Sequence, residues 1–215
     1  MCFYDSFRFA HESRNYVAIA MELVEGIDLS DYINSRITKN IVPTPSEIQN
    51  LLLNIALGVK QIHQKGYAHR DIKLENVIYN PRIKQIRIID FGLICSSACK
   101  NNAGTPLYIP PELFKPNTPD SLQVSQAHDI WSLGVLFYVI ANQRYPYPQY
   151  SNTEAVLKNI RDAKINKSNY VYPLPSTDVS PSVAVINKTI DSMLNPNWQT
   201  RPNIDQVIAL LTIRR

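Results

Sequence analysis

Four polar side chains in two short blocks have the types and spacing that phosphoryl transfer needs. Asp71, Lys73 and Asn76 stand close together, and Asp90 begins an Asp-Phe-Gly triplet further on. A carboxylate can accept the proton of an attacking hydroxyl, and a lysine can offset charge on the migrating phosphoryl group. Amide and carboxylate oxygens are hard ligands suited to magnesium. These residues therefore predict a site for metal-assisted phosphoryl transfer.

The elements that must position these side chains follow from hydrophobic patterning. Residues 77–79 and 86–89 predict a hairpin around Asn80-Pro81, which would present both blocks. An apolar run rich in β-formers predicts a buried strand over 16–24. Predicted helices cover 28–36, 46–64, 129–142, 151–164, 182–194 and 203–211, with a loop over 171–181.

Several residues mark the expected helix ends. Ser46 and Gln49 have capping-box spacing at the start of the second helix, and Gly66 follows its end. Pro202 is placed to begin the last helix. Asp129 would serve as a plain N-cap of the central, nearly all-apolar helix, unless it has a longer-range role.

Composition narrows the class of protein. The chain has 215 residues, 45% hydrophobic and 19% charged, which predicts one or two folded domains. A net charge of +4 without a basic stripe argues against a nucleic-acid partner. The longest apolar stretch, 133–141, is too short to cross a bilayer and predicts a buried helix instead, so no membrane association is expected.

The cysteines predict a reducing environment. Cys2, Cys95 and Cys99 are few and odd in number, so we expect no disulfide framework and place the protein in the cytoplasm or another reducing intracellular compartment. The Cys95-x3-Cys99 spacing has no second ligand pair, which argues against zinc.

Taken together, the motifs resemble those of a eukaryotic-type serine/threonine protein kinase. The sequences HRDIKLEN (69–76), DFG (90–92) and GTPLYIPPE (104–112) match its catalytic-loop, metal-binding and activation-segment motifs. Pro110 replaces the usual alanine of the last motif. The resemblance implies an α+β, protein-kinase-like fold: a mainly helical C-lobe with residual N-lobe strands and a catalytic-loop hairpin.

The resemblance also implies roles for the catalytic residues. Asp71 would orient the acceptor hydroxyl, Lys73 would contact the γ-phosphate of ATP, and Asn76 and Asp90 would bind Mg²⁺. ATP and Mg²⁺ are the implied cofactors. The alternative for Asp71 alone is a loop aspartate that caps a turn.

Further residues would bind nucleotide and substrate. By resemblance, Met21 gates the adenine pocket, Glu22 and Val24 supply the hinge carbonyl and amide, and Ile78 forms the pocket floor; Met21 and Ile78 are otherwise ordinary core residues. The substrate would be a protein with a Ser or Thr acceptor, contacted by Thr105, Glu75 and Asp28.

A structural set is implied as well. His69 and Phe91 would stack, and Arg70 would pair with a phosphorylated activation-loop residue. Glu112 and Arg201 would form a buried ion pair, the alternative being two separate surface charges. Asp129 would accept backbone hydrogen bonds from the catalytic loop.

One part of the kinase signature does not occur within these residues. The six glycines include no G-x-G pair, and the first lysine is Lys39. We therefore expect residues 1–24 to be a remnant of the N-lobe and 25–215 to be the C-lobe, with a separate chain as one source of the rest. The alternatives are a catalytically inactive kinase-like scaffold or decoy and a small-molecule phosphotransferase; the activation-segment motif argues against the last.

Overall fold

The computed structural model describes residues 3–97, 99, 103–147, 153–162 and 180–213. Strands come first and helices dominate the remainder. The strands are β1 (Phe3–His11), β2 (Arg14–Met21), β3 (Ile27–Asp28), β4 (Val77–Asn80) and β5 (Gln85–Ile88). The helices are α1 (Leu29–Thr38), α2 (Pro45–Gln64), α3 (Leu122–Asn142), α4 (Thr153–Arg161), α5 (Pro181–Met193) and α6 (Ile204–Leu211), with 3-10 turns at Leu74–Asn76 and Pro111–Phe114.

Two small antiparallel sheets flank the first helices. Strands β1 and β2 form a hairpin, and β3, β4 and β5 form a second sheet in that order. The predicted hairpin around Asn80-Pro81 is confirmed; the catalytic loop leads into β4 and Asp90 follows β5, so both lie at the open end of the hairpin, where Val77 pairs with Ile88. The strand predicted at 16–24 is β2, which begins two residues earlier and ends at Met21. The prediction that this strand is buried is wrong, because most of its residues are exposed in the two-stranded sheet, including Val17 and Ile19.

Helix α3 forms the centre of the core. It is buried on all sides, and Trp131, Phe137 and Tyr138 are among its fully buried side chains. The helix starts at Leu122, capped by the Ser121 side chain. The alternative of Asp129 as an N-cap is therefore wrong, because that residue lies in the third turn of α3. Within the described part of the chain, no helix is both long enough and apolar enough to cross a bilayer.

The other helix boundaries need small corrections. The capping box of α2 is Thr44 with Glu47, two residues before the predicted pair, and Pro45 occupies the first turn. Asn203 caps α6, so Pro202 precedes the helix instead of starting it. The predicted end of α4 at 164 and nearly all of the predicted loop at 171–181 lie outside the described residues.

Candidate active site

The loop that carries Asp71 is held by a buried carboxylate of α3. Asp129 Oδ2 accepts the His69 amide at 2.8 Å, and its Oδ1 accepts the Arg70 amide at 2.6 Å. His63, from α2, places its Nε2 2.8 Å from Asp129 Oδ2. Burial raises the pKa of Asp129, but the hydrogen bond and charge of His63 outweigh it and hold that pKa below the ordinary value.

This anchor holds an unfavourable backbone conformation. Arg70 has a φ of 68°, in the left-handed region that a side chain of this size seldom adopts. Because its amide and that of His69 both donate to Asp129, the loop cannot relax without breaking two charge-assisted bonds. The loop is thus fixed to the helical core. His63 was not foreseen from the sequence, since nothing in its local pattern points to Asp129.

Asp71 lies in a small network of donors. Thr105 Oγ1 donates to Asp71 Oδ1 at 2.6 Å, and Asn76 Nδ2 donates to Oδ2 at 3.0 Å. Lys73 Nζ is 2.9 Å from Oδ2 and 3.2 Å from Thr105 Oγ1. The four residues therefore meet at one point, although Thr105 is distant in sequence.

The network keeps this carboxylate ionised. Burial raises the pKa of Asp71, yet the hydrogen bonds from Thr105 and Lys73, the lysine charge and the Asn76 amide together hold it below its ordinary value. An ionised carboxylate that already accepts a hydrogen bond from one hydroxyl group is chemically suited to orient a second hydroxyl group and to accept its proton.

The two metal-ligand candidates approach from adjacent segments. The Ile89 amide donates to the Asn76 carbonyl at 3.0 Å, which sets Asp90 beside the catalytic loop. The side-chain nitrogen of Asn76 donates to the carbonyl and carboxylate of Asp71, so its amide oxygen points away from them. Asp90 is exposed, has a φ of 61°, and accepts the Gly92 amide at 3.2 Å. The hard oxygen donors that magnesium prefers are thus present on neighbouring segments.

His69 and Phe91 are in contact as predicted, but their rings are tilted by 57° and are not stacked. Their ring centroids are 5.3 Å apart, and His69 Nε2 lies 3.0 Å from the Ile89 carbonyl. Both contacts tie the catalytic loop to the segment that carries Asp90.

The predicted nucleotide residues lie around β3 and β4. Asp28 pairs with Ile78 across these strands. A Cβ at Gly26 would come within 2.8 Å of Ile78 Cγ2 and 2.6 Å of the Tyr79 carbonyl, so the chain after β2 passes directly against β4. Met21 ends β2 and is exposed, while Glu22 and Val24 are half-buried in the connection that follows.

The predicted substrate residues have mixed surroundings. Thr105 is in the network with Asp71. Glu75 is exposed on the 3-10 turn that contains Asn76. Asp28 accepts the Asp31 amide at 2.9 Å and caps α1, a structural role that the sequence did not predict.

The predicted ion pair between Glu112 and Arg201 is present and buried. Arg201 donates to both carboxylate oxygens, at 2.6 and 2.9 Å. Its remaining donors reach the carbonyls of Ala127 and Asn195, and its guanidinium lies 5.1 Å from the Trp131 ring centroid. The alternative of two separate surface charges is therefore wrong. Ser132 also donates to the Tyr108 carbonyl at 2.7 Å, so α3 fixes the end of the activation segment at a second point.

A disulfide lies near the start of the activation segment, which runs from Asp90 to Glu112. Cys95 and Cys99 are bonded, and Cys95 also exchanges two backbone hydrogen bonds with Ala68, just before the catalytic loop. The few and odd-numbered cysteines indicated no disulfide framework, so this single bond was not predicted. Arg70 Nε donates to the Leu93 carbonyl at 2.7 Å, a contact with the same segment.

A helical body on a small sheet, with an aspartate loop anchored from a buried helix, defines the class as protein-kinase-like. The family profile described as "Protein kinase domain" matches residues 2–210. The chain belongs to this family, and the resemblance seen in its sequence motifs is confirmed.

Three similar proteins are also named as protein kinases. The chain is 32% identical over 210 residues to serine/threonine-protein kinase Nek3 of Mus musculus, covering 95% of this chain and 37% of Nek3. It is 30% identical over 207 residues to the probable serine/threonine-protein kinase CCRP1 of Zea mays, covering 94% of this chain and 30% of the relative. It is also 28% identical over 193 residues to MAP kinase-activated protein kinase 2 of Oryctolagus cuniculus, covering 86% and 50%. The chain thus spans between about a third and a half of the length of these relatives.

Proposed function

We propose that the chain is the catalytic region of a serine/threonine protein kinase that transfers the γ-phosphoryl group of ATP to a Ser or Thr hydroxyl of a protein. The observation that supports this most strongly is the contact of Asp71 with Lys73, Asn76 and Thr105. It gives one ionised carboxylate a neighbouring cation, both of which the reaction requires, and the carboxylate already accepts a hydrogen bond from the Thr105 hydroxyl.

The residues would divide the work as follows. Asp71 would accept the hydrogen bond of the substrate hydroxyl and take its proton as the bond from that oxygen to the γ-phosphorus forms and the bond from the γ-phosphorus to the leaving ADP breaks. Lys73 is held by Asp71 and Thr105, so its ammonium is positioned before substrate binds, and it would offset charge on the transferred group. Asp129 and His63 act only through the loop, by keeping Asp71 in place.

The residues present fit a magnesium ion. The Asn76 amide oxygen and the Asp90 carboxylate would hold it, and the ion would supply charge neutralisation for the phosphates. Ile78 would lie under the adenine, with Glu22 and Val24 as hinge contacts and Met21 at the gate.

We assign residues 1–24 to the N-lobe and 25–215 to the C-lobe. A second polypeptide that carries a Gly-rich loop and a strand lysine would complete the cover over the phosphates. The second candidate is a kinase-like scaffold without catalysis.

Phosphate transfer from magnesium-ATP to a Ser/Thr peptide library separates the two. For a kinase, Asp71→Asn should lower the rate by about 10²-fold or more, because the acceptor for the hydroxyl proton is lost. Asp31→Asn, on the exposed face of α1, is the matched control and should retain the wild-type rate. Thermal unfolding of each variant must stay within a few degrees of wild type.

Two outcomes would overturn the proposal. Equal rates for wild type and Asp71→Asn would show that the activity arises elsewhere. No transfer, together with no shift in melting temperature on adding magnesium-ATP, would favour the scaffold.

A further inference from the structure

A cavity of about 320 Å³ lies on the opposite side of β4 from the proposed nucleotide residues. Its walls come from α1, α2, the β4–β5 hairpin and the C-terminal end of α3. The floor is apolar, with Ile33, Ile48 and Leu51 among its residues, and none of the proposed catalytic residues lines it. A volume of this size suits a small organic ligand.

Arg36 forms one wall of the cavity, and its guanidinium group is held in place by Tyr32. Arg36 donates through one guanidinium nitrogen to the Tyr32 hydroxyl at 2.8 Å, and its guanidinium carbon lies 5.6 Å from the Tyr32 ring centroid. Tyr32 in turn packs edge-on against Tyr79, with ring centroids 4.8 Å apart. The Nε of Arg36 is buried and has no hydrogen-bond partner among the described residues. A buried donor without a partner is costly, so an acceptor bound at this place would be favourable.

The charge at the cavity is positive. Lys84 is a second lining cation, in the hairpin turn. Glu47 is the carboxylate of the wall, but its Oε2 accepts the amide and the hydroxyl of Thr44 in the capping box of α2, at 2.7 and 3.0 Å. At the third position of the helix it is also balanced by the positive end of the α2 dipole. Glu47 interacts electrostatically with both Arg36 and Lys84, so the three side chains together leave one positive charge in excess beside an apolar floor.

We propose that this cavity is a binding site for a small aryl-alkyl carboxylate, whose apolar body packs on the floor and whose carboxylate pairs with Arg36 and Lys84. A neutral amide of the same shape could accept a hydrogen bond from Arg36 Nε but would not offset the positive charge, and a cation would be repelled by both basic side chains. The paired tyrosines supply aromatic edges that suit an aryl group.

The position of the cavity couples ligand binding to the proposed nucleotide-binding residues through strand β4. Successive side chains of a strand point to opposite faces, so Tyr79 faces the cavity while Ile78 packs toward Gly26. A ligand that orders Tyr79 therefore acts on the same strand that bears Ile78. The binding itself is independent of phosphoryl transfer and of the proposed function.

The test is ligand-observed NMR titration of the full chain, without nucleotide, using 3-phenylpropionate as the probe. 3-Phenylpropanamide and 3-phenylpropylamine are the matched neutral and cationic controls. For a ligand of this size we expect a Kd on the order of 1 mM for the carboxylate. The amide should bind at least fivefold more weakly, and the amine should not bind measurably.

Variants locate the site. Arg36→Met keeps the length of the side chain and should weaken carboxylate binding about fivefold or more while changing amide binding less than twofold. Lys84→Gln should have a smaller effect of the same sign, since this lysine is exposed. Asn54→Trp, which fills the cavity from α2, should abolish binding of the carboxylate and the amide alike.

Circular dichroism of each variant checks that it remains folded. Equal binding of carboxylate and amide to wild type, or unchanged carboxylate binding to a folded Arg36→Met, would overturn the proposal. Binding that survives in folded Asn54→Trp would place the ligand elsewhere and would overturn it too.

Discussion

Helix α3 and the β1–β2 hairpin use their side chains in opposite ways. In α3 several polar residues are buried: Ser132 and Asp129, for example, are shielded from solvent and hydrogen-bonded to distant segments. In the hairpin every residue of β1 is exposed, including Phe7 at 54%. The difference shows that residue type alone does not decide what a side chain contributes. A buried polar group with partners is costly to alter, whereas an apolar side chain that stays in solvent contributes little to folding.

The largest expected effect comes from the ion pair against α3. Arg201→Met should lower the free energy of unfolding by about 3–5 kcal/mol, because it leaves the carboxylate of Glu112 buried and unpaired. Urea denaturation measures the change. The double variant Arg201→Met/Glu112→Gln should recover part of the loss. A loss below about 1 kcal/mol in the single variant would show that Glu112 is solvated in the protein.

A second effect of the buried helix depends on pH. Burial lowers the pKa of His128 to about 4 from an ordinary 6.5, so the unfolded chain binds a proton before the folded one does. Stability is therefore complete above about pH 6.5 and falls as the pH drops toward 4, by about 3 kcal/mol in all. Denaturation midpoints measured between pH 7 and 4.5 test this.

The control for that prediction is His128→Phe, which cannot titrate. Its stability should vary less steeply with pH over the same window. Identical slopes in the two proteins would mean that His128 is not the group responsible.

An intermediate effect is expected from the disulfide. Reducing the bond between Cys95 and Cys99 should lower stability by about 2 kcal/mol at most, because the closed loop is short. Scanning calorimetry of Cys95→Ser against wild type measures this. Cys2→Ser is the matched control, since it leaves that bond intact, and it should melt as wild type does. No change in melting temperature for Cys95→Ser would mean that the disulfide does not stabilise the folded protein relative to the unfolded chain.

The smallest effect should come from the hairpin. Phe7→Ser and Val17→Thr should each change the free energy of unfolding by no more than about 0.5 kcal/mol, since both side chains are largely exposed. The same urea denaturation provides the measurement. A decrease in the free energy of unfolding of more than about 1.5 kcal/mol would show that this face of the hairpin is covered in solution. The hairpin would then not differ from α3 in the way described above.

Local patterns in the sequence predicted most of the architecture. The β4–β5 hairpin and the long helices have clear periodicity, and the catalytic-loop motif is specific. Boundaries failed where two patterns compete: Ser46 with Gln49 and Thr44 with Glu47 both have capping-box spacing, and only the second pair forms the box. The start of α3 was missed because residues 122–128 are largely polar, which hides the apolar periodicity.

What could not be predicted depends on segments far apart in the chain. His63 contacts Asp129 from another helix, and no local sequence pattern near either residue predicts this contact. The cavity at Arg36 is formed by four elements, none of which is unusual by itself. Family resemblance supplied two distant contacts, Glu112 with Arg201 and Asp129 with the catalytic-loop amides, because the motifs carry that information where local physics does not.

The left-handed Arg70 has a consequence for how the protein should fail on warming. Its amide and that of His69 are both held by Asp129 of the most deeply packed helix, so the catalytic loop has no independent way to loosen. Heat should therefore leave the loop ordered until the helical body melts, and protection of its amides from hydrogen exchange should vanish together with that of α3, as one cooperative unit.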